Sequence, residues 1–238
     1  MRTPLGQPVR LKDYRVPDYL IDSVDLDIDL HPHATRVRSE LRLRPHPQGR
    51  PHVALTLDGD ELQLVSLKLD GVALDAAAYA ATPEGLTLHA PPAQPFSLTI
   101  ETRLDPTANT KLMGLYRSGS AYCTQCEAEG FRRITYFLDR PDVLAVYRVR
   151  LEADREEAPV LLSNGNLEAE GDAGQGRHFA VWSDPFKKPS YLFALVAGRL
   201  DKVEDSFVTQ SGRKVGLGIY VEPGKAPRAA YAMDALKR

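Results

Sequence analysis

Val24-Asp25-Leu26-Asp27-Ile28-Asp29-Leu30 alternates apolar and acidic positions without a break. A period of two is that of a strand with one face buried and the other in water. Arg36-Val37-Arg38-Ser39-Glu40-Leu41-Arg42-Leu43-Arg44 repeats the pattern with mostly basic residues on the wet face, and the two runs read as a hairpin across His31–Thr35. Directly opposed residues share a face, so the apolar sets match only where paired residue numbers sum to an odd value. That register sets Asp25, Asp27 and Asp29 among Arg36, Arg38 and Arg42, which is a complementary, solvated outer face rather than an anion site.

Short β-like runs follow at Val53–Leu57, Leu62–Leu69, Leu86–His89 and Phe96–Leu104, divided by Asp-Gly, Pro-Glu-Gly and Pro-Pro punctuation. Val143–Leu151 predicts another strand, and Val160–Ser163 a further one that reaches Asn164-Gly165, a dipeptide that tolerates positive φ and favours a tight turn. Tyr191–Ala197 is continuously apolar, the pattern of a strand buried on both faces, and stops at Gly198. Lys214–Val221 returns to alternation. Only Pro227–Arg238 predicts a helix, with Ala229, Ala230, Met233 and Leu236 or Lys237 on one face. Nothing closes that helix, so the natural chain is expected to continue beyond Arg238. Many short strands with turns between them predict a sandwich or a similar large antiparallel assembly.

With 238 residues, 43% of them hydrophobic and 26% charged, the chain has the balance of an ordinary globular protein. A net charge of -2 supplies no basic field for nucleic acid. The start, Met1–Pro8, is polar and Pro-rich, and no run approaches the roughly 20 apolar residues of a membrane span, so no membrane partner and a cytoplasmic location are expected. Cys123 and Cys126 form one C-x-x-C without a second pair or an adjacent His, so they read as two thiols with no joint metal or redox chemistry. His31-Pro32-His33 reads as a solvated loop, and Gly174-Gln175-Gly176 as a hairpin tip rather than a dinucleotide loop.

The candidate chemistry lies in Tyr122-Cys123-Thr124-Gln125-Cys126-Glu127-Ala128-Glu129-Gly130-Phe131-Arg132-Arg133. On an extended backbone, residues i and i+2 project to one side, so the Gln125 amide and the Glu127 carboxylate would point together. A peptide's free α-ammonium offers three donors and a positive charge, and a carboxylate with a neutral acceptor makes a partial cage for it. Spacing alone leaves the plainer alternative open, that Glu127 and Glu129 are solvated acids and Gln125 is incidental.

This stretch resembles the substrate-amine-binding segment of the bacterial aminopeptidase N family, zinc gluzincins that remove the N-terminal residue of peptides. Met113–Gly119, Leu161–Asn166, Trp182–Phe186 with Lys188-Pro189, and Leu192–Gly198 look like further landmarks of that family in the expected order. The resemblance implies an all-β, sandwich-like N-terminal domain over residues 1–199 and the opening strands and first helix of a thermolysin-like catalytic domain over 200–238. It implies that Gln125 and Glu127 bind the substrate amine, with Glu129 as nearby support, and that C-T-Q-C-E-A-E-G carries no metal. The family's zinc is held by two His and a Glu around H-E-x-x-H, which this sequence lacks. The expectation is therefore the front part of a zinc-dependent aminopeptidase acting on peptides with a free N-terminus, needing the catalytic domain of its own chain as partner. Zinc belongs to the full-length enzyme, and this segment is expected to be inactive alone, with no catalytic or metal-ligating residue of its own. The alternative is a stand-alone, non-catalytic β-sandwich binding or interaction module.

Overall fold

The computed structural model describes residues 10–238, so the Pro-rich start read above lies outside the described residues. In chain order, β1 (Tyr19–Asp29) and β2 (Thr35–Pro45) precede the short β3 (Leu55–Asp58), β4 (Gln63–Leu69), β5 (Val72–Ala73), β6 (Tyr79–Thr82) and β7 (Gly85–Leu88). Then come β8 (Phe96–Leu104), β9 (Gly114–Ser118), β10 (Ala121–Gln125), β11 (Leu144–Asp154), β12 (Val160–Ser163), β13 (Asn166–Gly174), β14 (Arg177–Pro189) and β15 (Leu195–Gly198). β16 (Asp201–Val208), β17 (Lys214–Val221) and the helix α1 (Ala230–Lys237) complete the described chain. The largest sheet has eight strands in the order β13-β14-β11-β1-β2-β8-β4-β5, and smaller sheets are β12-β15-β10-β9, β3-β7-β6 and β16-β17.

The predicted hairpin forms in the predicted register from Ser23↔Arg42 to Asp29↔Arg36. A bulge between Ile21 and Ser23 shifts the pairing before it, which turns both Ile21 and Val24 into the core. The ion pairs run further than the hairpin. Asp27 meets Arg150 on β11 at 3.1 Å, Asp29 meets Arg177 on β14, and Asp25 faces Glu40 across the ladder. The largest sheet is antiparallel except that β1 pairs with β11 in parallel, from Ser23↔Val146 to Asp29↔Glu152.

The inner side chains of this sheet, among them Val24, Leu26, Ile28, Val37, Leu41 and Ile100, share one buried cluster with Leu55, Leu57 and Leu86 of the three-stranded sheet and Leu115, Tyr122, Leu161 and Leu195 of the four-stranded one. Each such side chain stabilises the fold by about 1.5–3 kcal/mol when fully removed from water. Every residue from 130 to 139 is buried, although the stretch contains no regular strand. Several of its polar groups are paired. Thr102 Oγ1 donates to the Ile134 carbonyl at 2.9 Å, Ser39 Oγ lies 2.8 Å from Thr135 Oγ1, and Phe137 exchanges main-chain bonds with Asp58. Phe131 packs edge-on against Phe137, Tyr147 and Phe193.

One expectation is corrected. Tyr191–Ala197 is not one doubly buried strand: a 3-10 turn occupies Ser190–Leu192, Leu192 is exposed, and only Leu195–Gly198 is a strand. An apolar run has no period that separates strand from turn, and here Phe193 is drawn out of line into the aromatic cluster. Asn164-Gly165 bends the chain, and β12 and β13 on either side of it enter different sheets. Gly165 has φ +89°, and a Cβ there would sit 2.1 Å from the Ser183 carbonyl oxygen, so the chain crosses between sheets at a point with no room for a side chain. Gly174-Gln175-Gly176 is a hairpin tip, with all three residues at positive φ.

Candidate functional site

β9 and β10 are paired through Gln125↔Gly114, and β10 stops at Gln125. Glu127–Gly130 is a turn rather than a continuation of the strand, closed by Gly130 N–H donating to the Cys126 carbonyl at 2.8 Å. The alternation argument therefore fails in its premise, because the backbone is not extended through Glu127. A different contact joins the two predicted residues. Gln125 Nε2 donates to the main-chain oxygen of Glu127 at 3.2 Å. This commits the amide nitrogen and leaves Oε1 as an acceptor with no partner among the described residues.

Gln125 and Glu127 are both exposed, and the Glu127 carboxylate makes no hydrogen bond or ion pair among the described residues. The next acid differs. Glu129 Oε2 lies 3.3 Å from Arg132 Nη1. Arg132 is buried in turn, its Nε 2.9 Å from Asp139 Oδ2 and its Nη2 donating to the Asp139 carbonyl at 3.1 Å. Asp139 also accepts from the Arg132 N–H at 3.2 Å and from Ser190 Oγ at 2.6 Å. Burial works against the charge on Arg132, but its hydrogen bond to Asp139 and the charges of Asp58, Asp139 and Glu129 outweigh this, and its pKa is raised. Arg133, also buried, donates to the Met113 carbonyl at 3.1 Å and pairs with Asp60 at 2.9 Å and Glu61 at 2.6 Å. Arg132 thus links the turn to Asp139, while Arg133 links the segment that follows the turn to Met113, Asp60 and Glu61.

Glycines make this approach possible. A Cβ on Gly130 would lie 2.3 Å from the Gln125 carbonyl oxygen, and one on Gly114, which has φ +70°, would lie 2.5 Å from Arg133 Cβ. The pattern of the sequence gives Arg132, Asp139 and Gly130 no role. The signal available was two adjacent arginines inside an otherwise apolar stretch with an acid seven residues on, since buried charges must be paired.

Cys126 is buried and Cys123 half-buried, both are free, and burial pushes both thiols up, with the charge of Asp139 adding at Cys126. Neither is poised as a thiolate for metal or redox work. Among the described residues no group of three or more His, Cys, Asp or Glu is placed to hold a metal. His33 sits in an exposed loop 3.4 Å from Asp105.

The β-rich body thus presents one exposed carboxylate, Glu127, on a turn whose other acid, Glu129, is held by Arg132. The profile of the Peptidase M1 N-terminal domain matches residues 16–192, and the chain belongs to that family. It is 55% identical over its whole length to Aminopeptidase N of Caulobacter vibrioides, covering 27% of that protein. It is 47% identical over 94% of its length to Aminopeptidase N of Escherichia coli, covering 25% of it. The chain therefore spans about a quarter of the length of these curated relatives. Among solved structures, Legionella pneumophila aminopeptidase A in complex with aspartic acid superposes with a TM-score of 0.91 at 37% identity, over 96% of this chain and 27% of that one. An M1 zinc metallopeptidase variant from Deinococcus radiodurans bound to a Tyr-Ser-Ala substrate matches with a TM-score of 0.72 at 15% identity, over 87% of this chain and 48% of that one, a likeness of fold.

Proposed function

We propose that this chain is the N-terminal part of a zinc-dependent aminopeptidase and that its contribution is recognition of the substrate's free α-amine by Gln125 and Glu127. Zinc and the attack on the first peptide bond belong to a catalytic domain outside this sequence, which the segment 200–238 opens. The observation that carries the reading is the contrast between two acids on one turn: Glu129 is held by a buried arginine, while Glu127 is exposed with no cationic partner among the described residues. An unpaired carboxylate and an unpartnered amide oxygen, on residues joined by the Gln125 Nε2 to Glu127 main-chain contact, suit a donor-rich cation, and a peptide's N-terminal ammonium is the cation an exopeptidase must locate. Holding that end fixes which bond meets the metal. A cytoplasmic location accords with two free thiols, and no described helix is long and apolar enough to cross a membrane.

In the full-length protein that carries this sequence, Glu127→Ala is expected to raise KM and lower kcat/KM for peptides with an unblocked amine. The loss of one charge-assisted contact, about 1.5–3 kcal/mol, corresponds to a fall of about ten- to a hundredfold. Steady-state kinetics equal to wild type would remove the assigned role. The 238-residue chain alone is expected to show no hydrolysis and no stoichiometric zinc by metal analysis.

A further inference from the structure

The turn that carries Glu127 is built on a buried ionic support. Arg132 and Asp139 side chains are only 5% and 1% exposed, yet they form a charged pair in the middle of an aromatic and aliphatic core. A buried ion pair is weak as a source of stability, since desolvation offsets its attraction. Its effect here is geometric. Asp139 accepts three hydrogen bonds, from the Arg132 main chain, from Arg132 Nε and from Ser190 Oγ at the end of β14, which fixes the plane of the guanidinium. The remaining edge of that guanidinium points outward, with Nη1 3.3 Å from Glu129 Oε2. Glu129 stands in the middle of the turn Glu127–Gly130, whose far end is fixed by Gly130 to Cys126.

We propose that Arg132 is a positioning residue for amine recognition: anchored by Asp139 and Ser190, it grips the Glu129 carboxylate and so holds the Glu127–Gly130 turn with Glu127 presented to the substrate ammonium. The proposal rests on the amine-recognition reading of Glu127. It assigns Glu129 a role different from Glu127. Arg132 is neutralised in the core by Asp139 and has Asp58 Oδ1 3.9 Å from its Nη1; Glu129, at 3.3 Å from the same nitrogen, is the acid through which Arg132 tethers the turn. Carboxylates two residues apart on one turn, one held and one free, divide the labour of anchoring and binding.

The test uses the full-length, metal-loaded protein and a free-amine amino-acid anilide, with Glu129→Gln, Arg132→Lys and the double variant. Glu129→Gln alters an exposed side chain and leaves the core intact. It is expected to raise KM about three- to tenfold with kcat within about twofold, the signature of weakened binding rather than damaged chemistry. Arg132→Lys keeps the charge but loses the fork, and is expected to raise KM similarly, with the double variant no worse than the more affected single one. Independent, additive effects of the two substitutions would overturn the tether and make Glu129 a direct ligand of the ammonium. If Arg132→Lys fails to fold by circular dichroism, Glu129→Gln alone decides: an unchanged KM rejects the proposal. Glu127→Ala in the same assay separates the two levels. A silent Glu129→Gln beside a defective Glu127→Ala removes only the positioning role, whereas a silent Glu127→Ala removes the amine reading on which it stands.

Discussion

Gly130 has backbone angles open to any residue, φ -90° and ψ -17°, and is needed for space rather than for conformation. A methyl there would press on the Gln125 carbonyl oxygen at 2.3 Å and the Cys126 Cα at 2.8 Å, main-chain atoms that cannot swing away. Gly130→Ala is therefore expected to destabilise the chain by about 1–3 kcal/mol, the cost of overpacking a filled site. Thermal or urea unfolding of the 238-residue chain checks it; an unchanged midpoint would mean the turn is looser than its contacts indicate. The same scale shows how far a sequence reading reaches. Q-C-E-A-E-G singled out Gln125 and Glu127 by resemblance, but the geometric argument, shared direction on an extended strand, did not hold. The strand ends at Gln125, two residues short of Glu127, and the link is made by the Gln125 amide reaching the Glu127 main-chain oxygen. Nor do letters separate Glu127 from Glu129, since what distinguishes them is a guanidinium brought up from the core.

At the scale of elements, strict alternation was a dependable guide. β1, β2 and β17 lie where period two put them; β1 and β2 bury one face and wet the other, while the apolar side chains of β17 are half-buried. Continuous apolar runs were not, as the break at Ser190–Leu192 shows. The partner choice of β12, which pairs with β15, was also invisible, because pairing between distant strands leaves no local mark. The segment after Gly198 is a case of its own. β16 and β17 pair only with each other, α1 buries Met233 and the turn before it Ala229, and every side-chain hydrogen bond and ion pair of residues 201–238 among the described residues is internal to that segment. Removing residues 200–238 is thus expected to leave the sandwich folded. Trp182, the single tryptophan, donates its Nε1–H to the Leu161 carbonyl at 3.1 Å and bridges the two largest sheets. Its emission should be unchanged in the shortened chain; a red shift would show that the segment supports the sandwich.

Across the molecule, the groups with displaced pKa values set where stability fails with pH. Tyr122 and Tyr136 are pushed up to about 12, by burial first and then by the charges of Glu157 and Glu84 respectively. A raised folded pKa favours the protonated form, so this contribution is complete below the ordinary tyrosine value near 10 and is lost as pH climbs towards about 12. Glu61 is displaced the other way, to about 2, by hydrogen bonds from Lys111 and then Arg133. Its contribution is present above the ordinary carboxylate value near 4.5 and fades as pH falls towards about 2, remaining small because the carboxylate is largely exposed to screening water. Melting temperatures should decline from pH 10 to 12 together with rising phenolate absorbance. A melting curve flat through that interval would contradict the burial of these two rings.

The parallel ladder between β1 and β11 carries a kinetic consequence. Asp27 and Arg150 are 123 residues apart, and nothing nearer in sequence occupies the edge of β1 opposite to β2. During synthesis the β1–β2 hairpin can close early, while its second edge keeps unpaired peptide groups until Leu144–Asp154 has left the ribosome. Closure of such a distant pairing is slow compared with forming a hairpin. A nascent chain halted before β11 would therefore present a sticky edge to its neighbours, and β11 would end that exposure.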